Sequence, residues 1–520
     1  MRSSKTEWEK SASSEGTTES ERVLVRLARK TFLSLWSYPN VFSDEGRSHG
    51  KGDGKELVDL LVVFGNDVLL FSDKSCEFQN NTDIKVAWPR WYKRAILKSA
   101  KQLIGAESFL RRFPERIFID KSCRTKFPVP LPNPISARYF LIAVTRGGHE
   151  AASQYFGGGS SGSMMLNSSL DGRDHLGRPF EIGFPLGADK FIHVLDEMTV
   201  DALLEELDTA PDFIDYLACK ERYLKSAAVV HVAGEEELLA RYMCSIKNGR
   251  HYLPEIPPDT GVVVHPEGDW EFYRSSPQRE AKRKADEISY MWDGLIDHQA
   301  SFVRAGTAIG LPEAPPESID HERILRAFAA EPRLARRQLA SHLRFALSTS
   351  EPGKKFARIS LSGKNLSRAY VFLTVPRPAD EKYSVYREKR SSALFAYCHG
   401  VKLRFPQITE AIGIASEPFS EAMSSQDFLY ADLSEDLSPE ESAALEELLV
   451  ELDIFQATDS DLNIMGLNAR EFPVPFNFED AELMELDASS TMNRTERRRM
   501  ASQVRKRNKK AARAKRPSKR

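Results

Sequence analysis

Residues 56–74, ELVDLLVVFGNDVLLFSDK, constrain the fold of this chain more than any other stretch. Val58, Leu60 and Val62 alternate with Leu57, Leu61 and Val63, so both faces of the segment are apolar. That pattern marks a strand buried on both sides rather than one with a wet face. Gly65-Asn66-Asp67 supplies turn chemistry, and Val68 to Phe71 is a second apolar run. The prediction is a β-hairpin at the centre of a covered sheet. Two charges interrupt it: Asp59 within the first strand and Lys74 at the end of the second. A carboxylate in a buried strand is costly unless it is paired or binds a metal, so Asp59 is the first candidate functional residue.

Successive side chains on a strand point to opposite faces. Ser72 and Lys74 therefore share a face and Asp73 points away from it. The preceding segment ESERVLVRLARKTFLSLW, from Glu19, carries Val23, Leu24, Leu27, Phe32 and Leu35 as an apolar stripe and predicts a helix to about Ser37. Glu21, with Glu19 as a fallback, is its candidate acid.

An Asp on one strand, an x-Lys ending the next, and an acidic helix before them resemble the PD-(D/E)xK nuclease superfamily, the restriction-endonuclease-like fold. The resemblance covers about residues 19–145. It implies that Asp59 and Glu21 hold a divalent metal, Mg²⁺ or Mn²⁺ by the hardness of the oxygen ligands. It implies that Lys74 orients water or stabilises charge on the phosphate. Ser72 departs from the pattern, standing where the family has Asp or Glu. Members that tolerate Ser there bring another carboxylate to the metal, and Glu21, Glu77 or an acid from the second half of the chain is the candidate here. The resemblance also implies a helix packed on the hairpin after Lys74. A helical pattern runs from about Pro89 to Phe113, and Arg94, Lys98 and Gln102 on it are candidate nucleic-acid contacts.

The net charge of −2 hides an asymmetry. Residues 494–520 hold 14 Lys or Arg and one acid, so a +13 tail follows a −15 body. Such a tail is expected to be disordered alone and to bind polyanions by counterion release. Arg497, Arg498, Arg499, Arg505, Lys506 and Arg507 are its candidate nucleic-acid contacts. No aromatic residue interleaves them, which argues against base stacking.

The fold class expected is mixed α/β. A disordered segment (1–18) precedes the nuclease-like domain (19–150). An α/β extension with a flexible Gly/Ser loop (151–265), a helical region (266–350), a second α/β unit (351–480) and the basic tail (485–520) follow. Within the first domain, strands at 116–120 and 138–145 are expected to complete a four-stranded sheet with the hairpin. Residues 43–55 read as a Gly-rich surface loop, and 146–171 as a flexible excursion. In the extension FIHVLDE reads as a strand, and TVDALLEELD and APDFIDYLACKERYLKS as helices. Long helices are predicted over 276–304 and 320–348, strands over 357–362, 370–375, 409–416 and 428–432, and helices over 383–405 and 438–451. The five cysteines lack a C-x-x-C pair, against a zinc site or disulfide framework. There is no signal-peptide pattern and no apolar run long enough to span a bilayer, so the expected location is the cytoplasm.

Three functions remain open. The first is a metal-dependent nuclease. The second is an inactive nuclease fold that binds nucleic acid, DNA or RNA. The third is an unrelated α/β protein that docks on nucleic acid or the ribosome through its tail. Adjacent-strand placement of Asp59 and Lys74 is what either nuclease-fold reading requires.

Overall fold

In the computed structural model the described residues are 18–47, 52–157, 163–247, 249–307, 318–349, 353–362, 365–418, 425–455, 470–474 and 476. The basic tail, with Arg497 to Arg499 and Arg505 to Arg507, lies outside them, as do residues 1–17. The chain divides into two compact units, one of Met1–Ala281 with Val474–Arg520 and one of Lys282–Pro473.

The first unit opens with α1 (Glu19–Trp36), β1 (Ser37–Ser43), β2 (Lys55–Phe64) and β3 (Asp67–Ser75). Thr18 and Glu21 close a reciprocal cap at the start of α1. Strands β1, β2 and β3 form an antiparallel meander. The β2–β3 connection is two residues, Gly65-Asn66, with Gly65 at φ +62° supplying the left-handed backbone the turn requires. A helical run follows: α2 (Ile84–Tyr92), a π-helical turn (Lys93–Leu97) and α3 (Lys98–Arg112). Next come β4 (Ile117–Phe118) and β5 (Arg138–Arg146), the latter parallel to β3 with Asp67 opposite Arg138 and Ser75 opposite Arg146.

Beyond these lie α4 (His149–Tyr155), β6 (Met165–Asp171), β7 (Glu181–Phe184) and β8 (Ile192–Asp196). Strand β8 joins the first sheet, parallel to β5, and gives the order β4-β1-β2-β3-β5-β8. After α5 (Glu197–Glu206), α6 (Ala210–Leu224), β9 (Val229–Val232), α7 (Glu235–Cys244), the short pair β10 (Ile246–Lys247) and β11 (Arg250–His251), and β12 (Val262–His265), a second sheet is complete in the order β12-β9-β6-β7.

Helices cover both faces of the first sheet. Phe32 of α1 and Phe213 of α6 pack edge-on at 5.3 Å and both meet Phe71, while Trp36 meets Phe64 at 5.3 Å. On the opposite face Leu61, Val63, Val68 and Leu70 share a core with Trp88, Ile96, Leu103 and Phe109. The apolar run of residues 57–63, interrupted by Asp59, is thus explained by burial on both sides.

Four expectations are corrected. The central sheet has six strands rather than four, because β1 adds to one side and β8, the strand of FIHVLDE, adds to the other. The strand expected over 116–120 is only Ile117–Phe118, and it pairs with β1 at the sheet edge rather than with the hairpin. The helix after the hairpin begins at Ile84, where the Asp83 side chain caps it, and carries Pro89 inside it. The excursion over 146–171 holds α4 and β6, with residues 158–162 outside the described set.

Helices α8 (Asp269–Arg274) and α9 (Pro277–Asp286) carry the chain to the unit boundary. The second unit contains α10 (Tyr290–Ala305), α11 (Ser318–Ala329), α12 (Arg333–Thr349), β13 (Phe356–Leu361), β14 (Arg368–Thr374), α13 (Tyr383–Arg404), β15 (Glu410–Ser416), β16 (Gln426–Asp432) and α14 (Pro439–Glu451). A 3-10 turn (Glu287–Ser289) interrupts the long helix expected over 276–304. The sheet order is β13-β14-β15-β16, with β14 and β15 parallel across the α13 crossover. Trp292 and Phe328 pack on Tyr370 on one face, and α13 and α14 close a core with Val371, Leu373 and Ala415 on the other.

Candidate active site

The registered pairing of β2 with β3 ends at Leu60 opposite Phe71. One step further, where Asp59 and Ser72 would face each other, the Asp59 side chain stands in for the ladder. Its Oδ2 accepts the Asp73 backbone N–H at 2.6 Å and lies 3.6 Å from Lys74 Nζ. Asp59 is 4% exposed, whereas the Lys74 side chain is partly exposed. A carboxylate and an ammonium thus meet where the registered pairing of the two strands ends.

Asp59 is pushed up from 3.8 to about 6. Burial is the main cause. Lys74 and the Asp73 N–H pull the other way, and Glu56 and Glu21 add to the upward push. Lys74 outweighs either neighbouring carboxylate, but not the burial. Strongly shifted carboxyls of this kind concentrate at functional sites, although structural ion pairs shift them too.

Ser72 is fully buried, and its Oγ lies 3.5 Å from Gln102 Oε1, at the outer limit of a hydrogen bond. Gln102 Nε2 donates to the Leu57 carbonyl at 3.2 Å, so this α3 residue bridges both strands of the hairpin. Asp73 points to the other face, as alternation requires. Its side chain is buried and Arg146 Nε reaches both its oxygens at 3.1 Å. Burial raises Asp73 as well, opposed by Arg146.

Glu21 is half-buried, and its Oε2 accepts the Thr18 N–H at 3.2 Å and Asn40 Nδ2 at 3.3 Å. Asn40 Nδ2 also donates to Glu56 Oε1 at 2.8 Å. Asn40 stands in β1 at φ +49°, ahead of the β1–β2 register shift between Val41 and Phe42, in a left-handed conformation that Asn tolerates better than most residues. One amide thus lies between two carboxylates.

The structure thus brings Asp59, Ser72, Lys74 and Gln102 to one end of the hairpin, with Glu21 near enough to act on Asp59. Glu77 and Glu19 are exposed. Arg94 and Lys98 are exposed on the outer face of the helical run. Asn40, Glu56 and Arg146 were not foreseen. The one sequence sign was the asparagine inside the strand pattern YPNVFS.

Among the described residues no group of three or more His, Cys, Asp or Glu is arranged to hold a metal ion. The chain does not build a closed metal cage at this corner. The donor set at this corner, the Asp59 carboxylate with Glu21 near it, fits a cation of another kind, one held by one or two carboxylates that takes its other ligands from water and phosphate oxygens, as Mg²⁺ does. Among the described residues no helix is long and apolar enough to cross a membrane. Comparison of the chain with protein-family models, curated proteins and solved structures finds no match in any of the three.

Proposed function

We propose that the Asp59–Lys74 corner is a phosphodiester-cleaving site and that the surrounding unit is a restriction-endonuclease-like domain acting on nucleic acid. The observation that carries this reading is the 3.6 Å approach of Lys74 Nζ to a buried carboxylate raised to about 6, where the registered pairing of two strands ends. The order of elements supports it too, with a helix before the hairpin, a helix packed on it afterwards and a further strand parallel to β3.

In this reading Asp59, with Glu21 once released from Asn40, holds Mg²⁺ or Mn²⁺. When bound, the ion lowers the pKa of a water and neutralises charge on the phosphate. Lys74 supplies a positive charge beside the reacting phosphate. The Asp73 N–H fixes the Asp59 carboxylate, and Gln102 holds the strand carrying Ser72 against the one carrying Leu57. Asp73 belongs to the core through Arg146 and takes no part in the chemistry.

A second reading has its own observation. Ser72 in the acidic position, together with the lack of a three-ligand group among the described residues, favours a nuclease fold that binds nucleic acid without cutting it. The two separate in one assay. Plasmid, linear duplex, single-stranded DNA and RNA are incubated with the purified full chain and Mg²⁺ or Mn²⁺, beside Asp59→Ala and Lys74→Ala. The catalytic reading expects metal-dependent cutting that both substitutions abolish. Binding without cutting of any substrate would leave the second reading standing.

A further inference from the structure

The helical run from Ile84 to Arg112 turns its three large aromatics inward, with Trp88, Trp91 and Tyr92 each no more than 4% exposed. Its outward positions carry a different chemistry. Lys85, Arg90, Lys93, Arg94, Lys98 and Lys101 are all exposed, and between Asp83 and Glu107 the sequence holds no acid. No carboxylate pairs with any of the six among the described residues. Other cations of the same unit behave differently: Lys55, Arg116 and Arg138 each hold a carboxylate.

Two features of the backbone belong to the same face. The π-helical turn over Lys93–Leu97 carries Lys93 and Arg94, and such single-turn insertions recur at functional sites. Gly105, one turn past Lys101 on the outward side, sits inside α3, where glycine is less favourable than alanine. Among the described residues nothing lies within 4 Å of where its Cβ would stand. No packing among them therefore requires a glycine, and they leave the outward face bare at that point. Gln102, between Lys101 and Gly105, is the residue that touches Ser72.

We propose that this face is a docking track for the backbone of duplex DNA, which it delivers to the Ser72–Lys74 end of the hairpin. The delivery rests on the phosphodiester reading above; the docking does not. At about 1.5 Å per residue the cations from Lys85 to Lys101 span roughly 24 Å. Phosphates recur about every 3.4 Å along each strand of a duplex, so roughly seven steps lie against the track. Single strands are gripped by exposed aromatics on which bases stack, and here the aromatics are buried in the core. Duplex RNA is read through its 2′-hydroxyls, and the track offers charge rather than a row of amides and hydroxyls. A bare glycine where the duplex comes closest lets the sugar-phosphate chain approach the helix backbone.

The test measures binding of the full chain to a fluorescent DNA duplex of about three helical turns in EDTA, as a function of salt. The variant Lys93→Gln/Arg94→Gln/Lys98→Gln/Lys101→Gln is expected to lower the slope of log K against log salt by about 3 to 4, near 0.9 for each phosphate that is no longer neutralised. The tail contributes equally to both proteins and cancels. Gly105→Glu is expected to raise the unfolding midpoint while weakening duplex binding at least about tenfold, an opposition that a purely structural glycine does not produce. A slope unchanged within about one unit would overturn the track. An equal loss of slope on single-stranded DNA or duplex RNA would overturn the assignment to duplex DNA. Because no metal is present, salt-dependent binding through the track without any cleavage in the metal assay removes only the catalytic reading, and cleavage with an unchanged slope removes only the track.

Discussion

Asp59 Oδ2 lies 3.6 Å from Lys74 Nζ and 2.6 Å from the Asp73 backbone nitrogen, across two strands whose pairing has just ended. One oxygen thus serves both a backbone donor and an ammonium. The carboxyl still rises to about 6, because burial outweighs both partners. The corner is held together at a cost in its own stability.

That cost is measurable. Asp59 titrates near 3.8 when unfolded and near 6 when folded. Between those values the native state binds more protons than the unfolded one, so stability falls as pH rises from about 4 to about 6. Asp59→Asn keeps an acceptor for the Asp73 N–H and removes the buried charge. It is expected to stabilise the protein by about 3 kcal/mol at pH 7.5, since the shift from 3.8 to about 6 is worth about 1.4 kcal/mol per unit. The gain should vanish below about pH 4. Urea midpoints for wild type and variant across this range decide it, and a gain that does not change with pH would refute the assignment.

An acidic residue introduced at position 72 should have the opposite sign. Ser72→Asp places a second carboxylate in a fully buried position beside Asp59. Without divalent metal the variant is expected to unfold about 3–5 kcal/mol more easily than wild type, the usual cost of an uncompensated buried charge. Mg²⁺ should then stabilise it more than it stabilises wild type. At a hundred times its dissociation constant a ligand returns about 2.7 kcal/mol. Thermal unfolding with EDTA and with Mg²⁺ gives the four midpoints, and equal metal-induced shifts in the two proteins would remove Ser72 from any metal site.

On the other face of β3, Arg146→Ala leaves the buried Asp73 carboxylate without its ion pair. Breaking such a pair from one side costs about 3–5 kcal/mol. Asp73 is already raised by burial, so the variant can protonate it, and the deficit should shrink from pH 7.5 to pH 5. Adding Asp73→Asn should recover most of the loss. Chemical denaturation of the single and double variants checks both statements; a double variant no better than the single would show that Arg146 matters through packing alone.

The hairpin was legible because its signal is local. An apolar run without a wet face and a Gly-Asn turn each constrain a few adjacent residues, and a lone Asp in such a run has few inexpensive explanations. The same locality put Ser72 and Lys74 on one face and Asp73 on the other. What the sequence hid was the partner set. Arg146 stands 73 residues from Asp73, and nothing in TRGGHE announces the ion pair. Strand β1 was hidden by Pro39 and Asn40, residues that ordinarily argue against a strand. Here Asn40 takes a left-handed backbone within the strand, and its amide reaches Glu21 and Glu56. The start of α2 was missed because Pro89 looked like a first-turn proline, while the capping side chain, Asp83, lay further upstream. Gln102 was grouped with the cations by its spacing from Lys98, yet its own partners are Ser72 and Leu57.

The π-helical turn over Lys93–Leu97 has one more consequence. A helical residue is worth about 100° of rotation, so one extra residue in a turn sets the helix on either side in different phases. Upstream of it, Trp88 and Trp91 fix the phase by their seats in the core. Downstream, Gln102 fixes it by its grip on the hairpin. The extra residue works as a vernier between two scales that do not otherwise coincide. It lets the core choose the alignment of one end and the hairpin the alignment of the other, while the surface between them stays continuous.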